Sequence, residues 1–319
     1  MKFRLICLLV LVLFVFSSCT LFNKSVPLSD TVPDINTGTD AGTGTSTDTD
    51  KGADSDTGTD TVKPAEGSGT DTATDSGSVT DVSALDSAEK SWYYLPKTNG
   101  EPSGEPQDIA NLIDRNDGYY LGDTSRKVIY LTFDEGYENG YTAKILDVLQ
   151  ANGVKAAFFV TRSYIVGSPD LVQRMADEGH LVCNHSSTHP SMPLVALDSK
   201  AAFDKEFKDT EAAYTALTGR TMDSFFRPPM GNYSELSLYY TKSLGYRTIF
   251  WSFAYRDWEV DNQPSPSDAV ILLRERTHNG GIFLLHAVSK TNADILDSVL
   301  KEWKIRGFEL GSLYDLPKK

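Results

Sequence analysis

The chain has 319 residues, with 30 Lys+Arg against 44 Asp+Glu and a net charge of −14. Such a length alone suggests about two domains of roughly 150 residues, but residues 20–90 hold 14 acids and 4 lysines, and no aromatic lies between Phe22 and Trp92. The acidic balance, without clustered Lys/Arg, rules out nucleic acid as a partner.

From the N-terminus, Lys2 and Arg4 flank the start of an apolar run at 5–16. That run suits an export signal (residues 1–19) and falls short of the ~20 residues that span a bilayer. Phe16-Ser17-Ser18-Cys19 resembles a lipobox, in which Cys19 becomes lipidated; an ordinary cleaved signal and an uncleaved anchor are the alternatives. Each predicts an extracytoplasmic protein, the first a lipoprotein anchored at the bacterial cell envelope. Residues 20–90, rich in Thr, Asp, Gly and Ser, bury too little to offset chain entropy. They read as a disordered tether reaching roughly 50 Å. One globular domain remains, from 91 to 319. Its lone cysteine, Cys183, sits in an apolar run and reads as an inert buried thiol.

Within the domain, 128–133 (VIYLTF) reads as a strand and 142–151 as a helix; 156–160 is again strand, and 170–177 helix, opened by Pro169. Strands follow at 181–183, 224–226, 248–253, 282–285 and 308–313. Helices at 199–217, 234–243, 267–276 and 293–305 separate them, with glycines such as Gly153 and Gly280 as left-handed stops. This alternation predicts an α/β fold of parallel strands and helical crossovers: a distorted (β/α)7-type barrel, with an open doubly wound sheet as the alternative. Asp134, His185, Arg227, Asp257 and His286 all fall at or just past strand C-termini, the rim where barrels gather catalytic groups.

The residue types on that rim suggest metal-assisted chemistry. His185-Ser-Ser-Thr-His189 would bring two imidazoles to one face of a helical turn, a spacing suited to a divalent metal, Zn first, with Co, Ni or Mn as substitutes. Asp134 and Glu135, in a sharp turn at Gly136, would divide labour between metal and proton. Arg227, on the stiff Arg227-Pro-Pro-Met-Gly231 backbone, is suited to orienting a carboxylate bidentately.

TFDEG (132–136), HSSTH (185–189), RPPMG (227–231), DW (257–258) and LLH (284–286) resemble, in order, the five motifs of the polysaccharide deacetylase family, the NodB-homology group or carbohydrate esterase family four. TFDEGYENGYT (132–142), FWSFAYRDW (250–258) and LLHAVSKTNA (284–293) are similar to its delta-lactam-forming, spore-cortex branch. The resemblance makes 127–319 the catalytic domain and 91–126 its N-terminal extension. It implies Asp134 as base, His185 and His189 as metal ligands, and Arg227 as the holder of Asp134. The N–H of Met230, after Pro229, would help form an oxyanion site. Asp257 would orient His286 as general acid, and Trp258, Leu284 and Met230 would line the acetyl pocket. The implied activity is metal-dependent hydrolysis of the N-acetyl group of peptidoglycan N-acetylmuramic acid, by a monomer. The alternatives are N-acetylglucosamine of peptidoglycan, chitin-type oligomers or acetyl-xylan, and a non-catalytic glycan-binding lipoprotein. Two positions depart from the pattern. Glu135 stands where the family usually has a ligating Asp, so it either ligates with adjusted geometry or points away. Ala254 stands where the fourth motif often begins with another Asp.

Overall fold

Short runs dense in β-branched and aromatic residues, alternating with stretches of helical apolar spacing, fold as parallel strands wrapped in helices. The computed structural model describes residues 81–106 and 109–319; the expected signal, Cys19 and the linker up to residue 80 lie outside them. The strands are β1 (Lys90–Ser91), β2 (Gly118–Tyr119), β3 (Val128–Glu135), β4 (Ala157–Val160), β5 (Leu181–Asn184), β6 (Asp223–Phe226), β7 (Asn232–Tyr233), β8 (Arg247–Ile249), β9 (Gly281–His286) and β10 (Glu309–Leu310). The helices are α1 (Ala110–Arg115), α2 (Thr142–Asn152), α3 (Arg162–Gly167), α4 (Pro169–Asp177), α5 (Met192–Asp198), α6 (Lys200–Thr218), α7 (Glu235–Ser243), α8 (Pro266–Arg276) and α9 (Lys290–Ile305).

Strands β9, β3, β4, β5, β6, β8 and β2 follow one another in parallel, and β10 pairs with the first two residues of β3. Single bridges Phe253–Phe283 and Leu121–Gly281 return the far end of the sheet to β9. The sheet therefore curls into the distorted barrel rather than staying open.

Strand alternation decides what each face carries. Val128 and Tyr130 join Phe159, Cys183, Phe225 and Ile282 in the barrel interior. Ile129, Leu131 and Phe133 pack outward with residues of α2, α4 and α9. Both faces of β3 are buried, as in parallel sheets generally. Stepping by two residues from each interior position leads to the rim: Tyr130 to Asp134, Cys183 to His185, Phe225 to Arg227, and Ile282 to His286.

Three expectations change. Residues 81–90, grouped by composition with the tether, pack on the domain: Val82 and Leu85 lie against an aromatic cluster, and Lys90–Ser91 pairs with Asn232–Tyr233. The fifth main-sheet strand stops at Ile249, short of the expected 253, and the carbonyls of Ile249 and Phe250 turn to Arg227. Gly280 does not end α8, whose cap is Thr277 in extended conformation. It sits at φ +68 in the turn before β9, where a Cβ would lie 2.8 Å from the Asp123 carbonyl carbon. Gly280→Ala should therefore lower stability by about 2 kcal/mol, read as a lower urea midpoint at unchanged slope.

Candidate active site

Asp134 and His286 are register partners on adjacent strands β3 and β9, so their side chains emerge side by side into the barrel mouth. The mouth is a cavity of about 760 Å³, lined by Asp134, His185, His189, Met230, Trp258, Leu284 and His286 among the expected residues. Tyr137, Trp251, Ala254, Tyr255 and Arg256 also line it. Arg227 and Asp257 lie beneath the floor, both at 0% exposure. Glu135 is the one expected site residue turned elsewhere.

Arg227 donates from Nη1 to Asp134 Oδ1 at 2.7 Å, from Nε to the Ile249 carbonyl at 3.0 Å and from Nη2 to the Phe250 carbonyl at 3.4 Å. The expected bidentate grip is thus a single hydrogen bond. The rest of the fork satisfies strand-end carbonyls that no ladder pairs. The guanidinium also stacks over Phe159, 4.1 Å from the ring centre. Burial pushes the Asp134 carboxyl up, but Arg227, aided by His185 and His286, more than offsets this and holds it below the ordinary aspartate range.

His185 Nδ1 lies 2.8 Å from the Arg227 carbonyl oxygen. A carbonyl can only accept, so Nδ1 carries the proton and Nε2 turns its lone pair to the cavity, 3.6 Å from Asp134 Oδ2. Burial lowers the His185 pKa to about 4, leaving the ring neutral at pH 7. His189 is its neighbour, with ring centres 4.9 Å apart and planes at 75°.

The two imidazoles do not share a helical turn as expected. Ser186 and His189 take left-handed backbone conformations, φ +69 and +59, and the loop is held by side chains. Asn184 Oδ1 accepts from Ser186 N–H at 2.8 Å, and Ser186 Oγ from His189 N–H at 3.0 Å. Glu206, reaching over from α6, accepts from Ser187 N–H at 2.9 Å, Thr188 N–H at 2.8 Å and the Thr188 hydroxyl at 2.9 Å. Neither Asn184 nor Glu206 carries a sequence signal, because most of their partners are backbone groups, which any residue supplies.

On the opposite wall, Asp257 Oδ1 accepts from His286 Nδ1 at 2.7 Å, and Oδ2 from the His286 backbone N–H at 2.8 Å. Asn292 donates to the same Oδ2 at 2.6 Å and is itself fixed by the Tyr255 hydroxyl. Burial pulls the His286 pKa down, but the charge and hydrogen bond of Asp257, with the charge of Asp134, leave it raised above the ordinary histidine value. Trp258 tilts beside His286, ring centres 5.5 Å apart, with 47% of its surface open. Trp258 is therefore wall rather than core packing. Met230 holds a left-handed turn, φ +58, at the cavity edge.

Glu135 does not sit in a turn with Asp134. Strand β3 runs on through residue 135, so consecutive acids point to opposite faces. Glu135 is buried with neither oxygen hydrogen-bonded. Burial first, then the charges of Glu138 and Asp134, push its carboxyl well above the usual range. Among the described residues no group of three or more His, Cys, Asp or Glu is arranged to hold a metal ion. The donors that face the cavity are His185 Nε2 and the His189 ring, a pair that fits an open ion site completed by water better than a closed cage.

Set against known proteins, residues 121–249 match the family described as polysaccharide deacetylase. An uncharacterized 30.6 kDa protein of Geobacillus stearothermophilus is 44% identical over 234 residues, 73% of this chain and 87% of its own length. The peptidoglycan-N-acetylmuramic acid deacetylase PdaA of Bacillus subtilis is 39% identical over 233 residues, 73% of this chain and 88% of its own. The solved structure of Bacillus subtilis PdaA, a family 4 carbohydrate esterase, aligns with a TM-score of 0.69 at 39% identity, covering 72% of this chain and 97% of that one.

The geometry predicts two responses to substitution. Asp257→Asn removes the charge that raises His286, so the alkaline limb of the kcat/KM profile for acetate release should move to lower pH. An unchanged limb would separate His286 from the profile. Glu135, raised in the fold, favours the folded state below its unfolded pKa, and that advantage is lost as pH climbs toward its folded pKa. Glu135→Gln should therefore gain stability relative to wild type at pH 7 and less at pH 4, measured by urea unfolding.

Proposed function

The chain belongs to the polysaccharide deacetylase family, the family 4 carbohydrate esterases, which hydrolyse N-acetyl amide bonds, and we propose that it deacetylates N-acetylmuramic acid in peptidoglycan. The observation that carries this reading is the pairing of Asp134 with His286 across β3 and β9, each held by its own buried partner. Similarity to the peptidoglycan-N-acetylmuramic acid deacetylase of Bacillus subtilis supports the choice of sugar.

On this reading, Asp134 Oδ1 is engaged by Arg227, and Oδ2 takes the proton of the attacking water. His286, with Nδ1 committed to Asp257, gives a proton from Nε2 to the departing amine. A raised pKa suits it to that task near neutrality. The N–H of Met230 serves as oxyanion donor, and Trp258 and Leu284 enclose the acetyl methyl. His185 and His189 would hold a divalent ion, Zn first, with Co, Ni or Mn as substitutes. When bound, it supplies a Lewis acid that polarises the carbonyl and acidifies water. Export by residues 1–19 and a lipid on Cys19 would keep the enzyme at the outer face of the membrane, within reach of glycan strands. Later lactam closure on the muramic residue would use the amine that this reaction frees.

N-Acetylglucosamine suits the same acid–base pair, and a non-catalytic role draws on Glu135 alone, a changed ligand position. One experiment addresses all three: mass spectrometry of peptidoglycan glycan treated with wild-type enzyme, chelated enzyme and Asp134→Asn. The proposal expects deacetylated muramic residues from wild type, loss on chelation with recovery on added Zn, and a rate lower by about 10²–10⁴ for the variant. Deacetylated glucosamine alone would move the activity to the other sugar. Equal acetate release from wild type and variant would remove the catalytic reading.

A further inference from the structure

Of the acidic, basic and imidazole side chains lining the cavity, the proposed chemistry uses all but Arg256. Resting on the muramic reading above, we propose that Arg256 recognises the free lactyl carboxylate of the substrate and sets the preference for muramic over glucosamine residues. Muramic acid differs from glucosamine by a lactyl ether on the ring carbon next to the one bearing the acetamide. Whatever distinguishes the two sugars must therefore line the cavity that receives the acetamide.

Among the described residues lining it, Arg256 alone carries a fixed positive charge. Arg227 lies below and is committed to Asp134 and two carbonyls. The backbone of Arg256 is fixed on both sides: Tyr255 is anchored to Asn292 and Asp257 to His286. Its side chain is 65% exposed, and its ion-pair partner, Glu259, stands 3.5 Å away from Nε. That separation is long for a charge-assisted hydrogen bond, so the planar fork is free to take a carboxylate bidentately. The need for such a cation follows from charge. The Asp134 carboxylate lines the same cavity with its own cation, Arg227, committed to it from below, so a second carboxylate beside it needs a cation of its own. A stem peptide converts the lactyl carboxylate into a neutral amide and removes the group that Arg256 reads. The same residue thereby favours glycan stripped of peptide.

The test compares kcat/KM for acetate release on peptide-stripped glycan and on the same glycan with its lactyl carboxyls amidated. Wild type should prefer the free carboxylate by about tenfold or more. In Arg256→Met the ratio should fall toward one, and Arg256→Lys should retain part of it. Because both substrates meet the same preparation, any loss of folded protein cancels in the ratio. A ratio unchanged in Arg256→Met, or already one in wild type, would overturn the role of Arg256 and leave the muramic reading standing. Wild type that releases acetate from N-acetylglucosamine oligomers but from neither muramic substrate would overturn both.

Discussion

Arg227 is a large cation buried at 0% exposure, and the rim is arranged around satisfying it. Its side chain reaches Asp134 at the end of β3 and the Ile249 and Phe250 carbonyls at the end of β8, while its own carbonyl fixes the tautomer of His185 after β5. Its amide returns to the Asn184 carbonyl at 3.2 Å. Four strand ends are thus tied through one residue. Burying two charges is expensive, and removing one partner is more so, about 3–5 kcal/mol, because the other is left unpaired. Such a pair contributes little net stability. It determines instead where the Asp134 carboxylate points and that it stays ionised.

The Asp257–His286 pair works in the opposite electrostatic sense. Asp134 is driven below its ordinary range by a neighbouring cation, and His286 above its own by a neighbouring anion. Two titratable groups pushed apart in adjacent register supply a proposed base and a proposed acid on either side of one cavity. Asn292, itself held by the Tyr255 hydroxyl, completes the second pair, so that Asp257 has no freedom to rotate away.

Much of this was legible because a strand's period is two. Once VIYLTF is placed as a buried strand, Asp134 has to emerge on the interior face with Tyr130; the same step carries Cys183 to His185 and Ile282 to His286. That period also sends Glu135 to the helix-covered face, a consequence visible only when the strand runs past Phe133 to residue 135. What was not legible depends on partners distant in sequence. The HSSTH loop takes its shape from Glu206 on α6 and from left-handed residues at 186 and 189. Arg227 is drawn from a carboxylate fork to a carbonyl clamp because β8 ends early. Composition grouped 81–90 with the tether, since the apolar contacts of Val82 and Leu85 are too few to alter an average.

The most direct measurement is a crystal structure of Asp134→Asn soaked with an N-acetylated muramic glycan fragment. The account predicts the acetamide carbonyl carbon between residue 134 and His286 Nε2, with the acetyl methyl against Trp258 and Leu284. An acetamide seated outside that cavity, with these side chains untouched, would contradict it.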